Sequence, residues 1–160
     1  MLSELLKKVR RNHGLEHATV SILLEKGVRP PMGGYSVPGG FFIFGRISTE
    51  LMTETVHEAF DRMSHGQREL AISPYCGTNL ATGAMLAGLV ARIVMGRKKE
   101  GRLKRLPLAV LAALGATLLG RPLGNALQKR YTTMADVEVM EVSGIVRLGP
   151  VLHKISTRNL

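Results

Sequence analysis

LSELLKKVRRNHGLEHATVSILL, residues 2–24, is the stretch that decides the fold, because its apolar residues recur at the three- and four-residue steps of a helix. The spacing predicts an amphipathic helix over residues 2–26 with its apolar face turned inward. That face carries Leu2, Leu5, Leu6, Val9, Val20 and Leu24. It also carries His13, Glu16 and His17. Burying three polar groups costs free energy unless each has a partner, so these residues are the first candidates for a functional site.

His13 and His17 are four residues apart, so a helix presents both imidazoles on one side, where two nitrogens can bind one metal ion. A third ligand is required, and Cys76 is the best candidate because thiolate suits zinc. The alternative is structural: Glu16 and the histidines satisfy one another and nearby backbone, while Cys76 packs as a small hydrophobe.

The pattern His13-x-x-Glu16-His17 resembles the inverted zincin motif of the pitrilysin and insulin-degrading type peptidases. That resemblance implies that His13 and His17 bind zinc and that Glu16 activates water. It covers five residues. Those peptidases take a third ligand from a glutamate well downstream, where this chain has an apolar segment without acids.

Two apolar segments, residues 78–96 and 106–120, dominate the middle of the chain, and Arg92 is the one charged residue within them. As helices they would be about 23–29 Å long, at the lower edge of membrane-spanning length. Small residues recur every four positions at Gly83, Ala87 and Ala91, a spacing that lets helices approach closely in lipid. The segments predict a transmembrane hairpin; a buried hairpin of a soluble protein is the alternative.

The loop between these segments, residues 97–105, holds six basic residues and one acid, which predicts contact with anionic lipid headgroups. The positive-inside rule places such a loop in the cytoplasm. That would require the first 77 residues to cross the membrane, although they carry Lys7, Lys8, Arg10 and Arg11 and show no signal peptide. We therefore expect a protein of the cytoplasmic membrane whose orientation stays open.

The composition narrows the classes of function further. The chain has 160 residues, a formal net charge of +10, one cysteine and no tryptophan. One cysteine excludes an internal disulfide framework. Since nucleic-acid platforms interleave aromatic and basic residues, the charge together with so little aromatic content predicts no nucleic-acid partner. A peptide or protein substrate and a homo-oligomer remain compatible with the sequence.

The remaining patterns predict an α+β fold. The apolar run Phe41–Phe44, bounded by glycines, predicts a strand, and Ser48 or Thr49 caps a second helix that ends near Ser64. A short strand is expected over residues 69–73 and a β-hairpin over residues 137–155. We accordingly expect three regions: an α/β region (residues 1–77), the apolar hairpin (78–128), and a C-terminal β-hairpin (129–160) that packs on the first.

Four blocks together resemble an uncharacterised bacterial membrane-protein family, a domain of unknown function; they are Asn12-His13-Gly14-Leu15-Glu16-His17-Ala18-Thr19, Gly39-Gly40-Phe41-Phe42-Ile43-Phe44-Gly45, Pro74-Tyr75-Cys76-Gly77-Thr78-Asn79-Leu80 and Tyr131-Thr132-Thr133. The resemblance implies that His13, Glu16, His17, Cys76 and Asn79 belong to one site. Relatives often carry a histidine where this chain has Ser73, a departure that puts the ligand set in doubt.

Two functions follow as hypotheses. The first is a small membrane-anchored metal-binding protein, a zinc-dependent hydrolase or peptidase with Glu16 as general base. The second is a non-catalytic membrane assembly or interaction factor in which the histidine cluster is structural. Only the first requires Glu16 to act on water.

Overall fold

The computed structural model describes residues 2–96 and 101–160. Helices and a four-stranded antiparallel sheet are both present, which confirms the predicted α+β class. The chain forms two compact units. The residues up to Ser73 together with Lys129–Leu160 form one, named here the αβ unit, and Pro74–Gln128 form the other, named the helical unit.

The αβ unit contains two long helices and one sheet. Its elements are α1 (Leu2–Glu25), β1 (Gly33–Val37), β2 (Gly40–Phe44), α2 (Thr49–Ser64), short 3₁₀ turns at Arg68–Ala71 and Val137–Val139, β3 (Met140–Gly149) and β4 (Leu152–Asn159). The strand order is β1-β2-β4-β3, so the C-terminal hairpin pairs with the N-terminal one through β2 and β4. Phe41 lies opposite Ile155 at this junction. Two segments that are distant in sequence therefore make one sheet.

The core lies between the sheet and the two helices. Phe41 and Ile43 on β2 are fully buried, whereas Phe44 is half exposed, as the two-residue period of a strand requires. Leu15, Ala18, Ile22 and Leu23 of α1 join them from the helix side, as do Met52, Val56, Ala59 and Met63 of α2. The Ser48 side chain caps α2 by accepting a hydrogen bond from the Leu51 amide at 3.2 Å.

Two sequence expectations for this unit are wrong in detail. Leu2, Leu5 and Leu6 are exposed rather than buried, because the hydrogen-bonded contacts of α1 with the rest of its unit begin only at Arg10. Residues 69–73 form no strand; a 3₁₀ turn stands there and packs against α1 instead of joining the sheet. That turn brings the Ala71 carbonyl to His17.

The helical unit consists of α3 (Gly77–Met95), α4 (Arg102–Leu118) and α5 (Gly120–Leu127), after which a π-helical turn, Gln128–Thr132, leads back to the αβ unit. Gly83 and Gly120 mark the tightest approach of α3 and α5: a Cβ on Gly120 would lie 2.6 Å from the Gly83 Cα. One turn away, a Cβ on Gly124 would lie 2.2 Å from Asn79 Oδ1. Small residues thus permit close packing of α3 against α5. Gly83 takes part, as its spacing predicts, and its partner is a glycine of α5, Gly120.

Among the described residues, one helix, α3, is long and apolar enough to cross a membrane, judged by length and composition alone. Of its most apolar stretch, 11% is buried inside the protein. The bent pair Arg102–Leu118 and Gly120–Val139, with 41° between its parts, passes the same test if it counts as one span. Within the basic loop, residues 97–100 lie outside the described residues, while Arg102, Lys104 and Arg105 begin α4 on its exposed surface.

Candidate metal and catalytic site

His13 and His17 lie side by side on α1, with ring centroids 4.3 Å apart. His13 Nδ1 is 2.9 Å from the Thr132 carbonyl oxygen, and His17 Nδ1 is 2.9 Å from that of Ala71. A carbonyl oxygen only accepts hydrogen bonds, so each Nδ1 carries the proton and donates it. In a neutral imidazole the lone pair then belongs to Nε2, the tautomer found in metal-ligating histidines that are oriented by a backbone carbonyl.

The two histidines also meet the distance requirement for a shared ion. A ligand nitrogen of His13 and one of His17 lie within 4.8 Å of each other. His17 is buried and His13 is half-buried. The helix spacing brings the two ligand nitrogens close together. The Thr132 and Ala71 carbonyls, from segments far away in sequence, orient the two imidazole rings.

Glu16 is buried and faces the sheet edge formed by β1. The Ser36 hydroxyl donates a 2.6 Å hydrogen bond to Glu16 Oε2. The carboxylate lies against the backbone of Gly34, where an added Cβ would approach Glu16 Oε1 to 2.4 Å. A side chain at position 34 would therefore displace this carboxylate, whose orientation Ser36 supports.

Gly14 brings the segment before β3 against α1, next to His13. A Cβ at Gly14 would lie 2.2 Å from the Met134 carbonyl oxygen. The Met134 amide donates to the Arg10 carbonyl at 2.9 Å, and the Arg10 guanidinium donates to the Thr133 carbonyl at 3.2 Å. These contacts hold the Thr132 carbonyl where His13 Nδ1 reaches it. The role of the Tyr131-Thr132-Thr133 block is thus to orient His13 through its backbone.

Asn12 is a buried residue of this region to which sequence reasoning assigned no role. Its side-chain amide donates to the Val37 carbonyl at 2.7 Å, and its oxygen accepts from the Thr157 hydroxyl at 2.7 Å. It therefore ties α1 to β1 and β4. Its position beside His13 at the start of the buried face of α1 was the available signal, whereas its strand partners were not visible in the sequence.

Cys76 lies in the helical unit at the N-cap of α3, and the Thr78 amide approaches its Sγ at 3.4 Å. The thiol is almost fully buried. Cys76 follows Ala71, the partner of His17, by five residues. An extended chain spans at most about 3.3–3.6 Å per residue, so covalent connection alone keeps the two Cα atoms within about 18 Å.

Asn79, the other residue implied by resemblance, takes part in a network inside the helical unit. Its amide donates to the Pro74 carbonyl at 3.1 Å and to Asn125 Oδ1 at 2.9 Å, and its oxygen accepts from Gln128 Nε2 at 2.7 Å. Asn79 thus joins the start of α3 to the end of α5. Its observed contacts fit a structural role.

Residues 8–145 match the family described as a domain of unknown function, DUF6391. The chain belongs to this family. The match includes all of His13, Glu16, His17 and Cys76 and ends within β3. This confirms the resemblance to an uncharacterised family that the sequence blocks indicated.

A relative of this DUF6391 chain is an uncharacterized protein of Picosynechococcus sp., 33% identical over 135 residues. The alignment covers 78% of this chain and 65% of that protein, so the chain spans less than two thirds of the relative's length. No solved structure matches the chain.

Besides His17, the protein buries a second histidine, His153, which lies outside α1. It lies on β4, fully buried, with Nε2 3.3 Å from the Thr49 hydroxyl oxygen, while Nδ1 has no hydrogen-bond partner among the described residues. Burial, and secondarily the positive charge of Arg147, lowers the pKa of His153 below its ordinary value of 6.5. His153 is therefore a neutral core residue, which sequence reasoning left without a partner.

Proposed function

We propose that this protein is a small membrane-anchored zinc protein and that His13, His17 and Cys76 hold the metal. The observation that carries the proposal is the pair of Nδ1 hydrogen bonds to the Thr132 and Ala71 carbonyls. Two neighbouring imidazoles oriented in this way both present Nε2 lone pairs. A metal ligand needs this arrangement, whereas a structural core histidine does not.

Cys76 is proposed as the third ligand on two grounds. It is tethered five residues after Ala71, whose carbonyl orients His17. A thiolate with two imidazoles is also a donor set that zinc favours, and three protein ligands leave one position open for water or substrate. Ser73 is buried in the αβ unit and supplies no imidazole.

The proposed activity is hydrolysis of a peptide or other acyl bond, with Glu16 as the base. Zinc supplies a polarised water of lowered pKa. Glu16 stands one residue from His17, and Ser36 and Gly34 hold its carboxylate in one orientation. A base that is held in place before substrate arrives loses less conformational freedom during the reaction.

Membrane anchoring by the helical unit is part of the same proposal. Its outer surface is apolar: Leu80, Met85, Leu89 and Ile93 on α3, and Leu103, Leu108, Leu111, Leu114 and Leu118 on α4, are all more than half exposed. An exposed apolar surface of this extent is a membrane or interaction site. A helix bonds most of its backbone groups internally, as lipid requires. The basic residues at the start of α4 would meet anionic headgroups.

Cobalt substitution tests the ligand set. Protein purified in detergent, stripped with chelator and loaded with Co²⁺ should show a thiolate-to-cobalt charge-transfer band in the near ultraviolet. Cys76→Ser should lose that band and keep cobalt bound through the histidines more weakly, whereas His17→Ala should lose most of the cobalt. A wild-type spectrum without the thiolate band would remove Cys76 from the site.

The contacts of Glu16 favour a second candidate function, a non-catalytic assembly or interaction factor. The Ser36 hydrogen bond and the Gly34 backbone give Glu16 structural contacts whether or not it meets water. Glu16→Gln separates the two functions, using quenched fluorescent peptides and acyl esters presented to protein in liposomes. The hydrolase predicts retained zinc with turnover abolished; the interaction factor predicts no metal-dependent turnover in the wild type.

A further inference from the structure

The helical unit contains a cavity of about 390 Å³ next to Cys76. It runs along one side of α3, with α4 and α5 opposite. Its walls are Pro74, Tyr75, Cys76, Asn79, Leu80, Gly83, Ala84, Thr117 and Arg121. The volume falls within the range of about 300–1,000 Å³ that is usual for small-ligand sites.

The chemistry of the lining is asymmetric. Most of the wall is apolar, contributed by the first two turns of α3. Arg121, on the first turn of α5, is the one charged side chain among the lining residues. No hydrogen bond or ion pair joins its guanidinium to any residue in the described ranges 2–96 and 101–160.

Asn79 and Thr117, two other polar residues of the lining, are hydrogen-bonded within the protein. Asn79 is bonded to Pro74, Asn125 and Gln128, and the Thr117 hydroxyl donates to the Leu114 carbonyl at 2.6 Å. Among the lining residues, the Arg121 guanidinium is the charged group that would recognise an anionic head group. A guanidinium selects carboxylate or phosphate, which it binds with two parallel hydrogen bonds.

We propose that this cavity binds an anionic acyl amphiphile. The acyl chain lies on Leu80, Gly83 and Ala84, and the carboxylate or phosphate head binds Arg121. Because Cys76 lines the same cavity, the amphiphile would lie beside the proposed zinc centre, and its status as a substrate rests on the proposed hydrolase function. Binding itself does not depend on zinc, so the two proposals can fail separately.

Photolabelling tests the proposal directly. The protein in phosphatidylcholine nanodiscs is exposed to dodecanoate that carries a diazirine on its chain, irradiated and mapped by mass spectrometry. We expect labels on residues 80–84 and competition by unlabelled dodecanoate but not by dodecanol, which has no charge. Arg121→Gln should weaken labelling about tenfold or more, the loss expected for one charge-assisted hydrogen-bonded pair.

Arg92→Gln is the matched control, because Arg92 lies on α3 outside the cavity and donates to the Gly96 carbonyl. It should label as the wild type does. Ala84→Trp, which fills the cavity and leaves Arg121 in place, should also abolish labelling. Equal labelling of wild type and Arg121→Gln, or equal competition by dodecanol, would overturn the proposal.

Two further arms identify the ligand and separate this proposal from the zinc hypothesis. Stronger competition by dodecyl phosphate than by dodecanoate assigns the site to phospholipid-like heads, and the reverse assigns it to free carboxylates; both support it. Stronger competition by an apolar tetrapeptide with a free C-terminus would replace the acyl ligand and overturn the proposal. Labelling that persists in His17→Ala keeps the cavity proposal even if zinc binding is absent.

Discussion

Substitution of Gly14 by alanine should damage both the stability of the αβ unit and the orientation of His13. The added Cβ would lie 2.2 Å from the Met134 carbonyl oxygen, more than an ångström short of the 3.4 Å at which ordinary contact begins. The obstacle is backbone, so it cannot rotate away. The segment 132–134 must move off α1. That movement strains two hydrogen bonds of 2.9 Å, from the Met134 amide to the Arg10 carbonyl and from His13 Nδ1 to the Thr132 carbonyl.

The magnitude follows from these losses. Two strained hydrogen bonds are worth about 1 kcal/mol each, and overpacking adds about 1–3 kcal/mol. Alanine recovers about 1 kcal/mol through its better helix propensity. We therefore expect a net loss of about 2–4 kcal/mol in the free energy of unfolding. Loss of the carbonyl that orients His13 should also weaken zinc binding about 10–100-fold.

The assay is urea unfolding of detergent-solubilised protein, followed by circular dichroism, together with competitive zinc titration. Gly33→Ala is the control in the same unit, because a Cβ there meets nothing within 4 Å. It should leave both measurements close to those of the wild type. If Gly14→Ala unfolds at the wild-type urea concentration, the close packing of the 132–134 segment against α1 is refuted.

Three further substitutions test other parts of the structure. Asn12→Ala should lower the free energy of unfolding by about 2–3 kcal/mol, because it strands the Val37 carbonyl and the Thr157 hydroxyl; an unchanged urea midpoint would contradict those bonds. The lowered pKa of His153 means that the folded state resists protonation, so stability present above pH 6.5 should be lost as pH falls toward the lowered value. In chelator-treated His153→Phe that part of the pH dependence should vanish, and a slope equal to that of the wild type would exclude His153 as its source. Gly124→Ala, whose Cβ would lie 2.2 Å from Asn79 Oδ1, should lower the thermal unfolding temperature of the helical unit, whereas Gly115→Ala, in open space, should not.

The sequence predicted the elements whose periodicity is local. The α+β class followed from the helical spacing of residues 2–24, the apolar run at Phe41–Phe44 and the cap at Ser48. One prediction of burial and one strand assignment failed where tertiary packing decides. The stripe at Leu2, Leu5 and Leu6 looks the same in sequence as the buried part of α1, and the 69–73 segment has strand-like composition but lies against a helix.

The sequence predicted the side chains of the site but not the groups that hydrogen-bond to them and orient them. Helix spacing alone brings His13 and His17 together and puts Glu16 on the buried face. The groups that orient them are backbone carbonyls of Ala71 and Thr132 and the hydroxyl of Ser36, from three other segments. Any residue type supplies a carbonyl, so sequence carries no signal for these partners.

The metal content of detergent-purified protein, measured by inductively coupled plasma mass spectrometry, tests the central claim most directly. The account predicts near-stoichiometric zinc in the wild type and in Glu16→Gln, a large loss in His17→Ala, and weakened retention in Cys76→Ser. His153→Phe is the matched control, since that buried histidine lies outside the site and should leave the zinc in place. Wild-type protein that carries no zinc, even after zinc is supplied, would contradict the account and leave a structural histidine pair on α1.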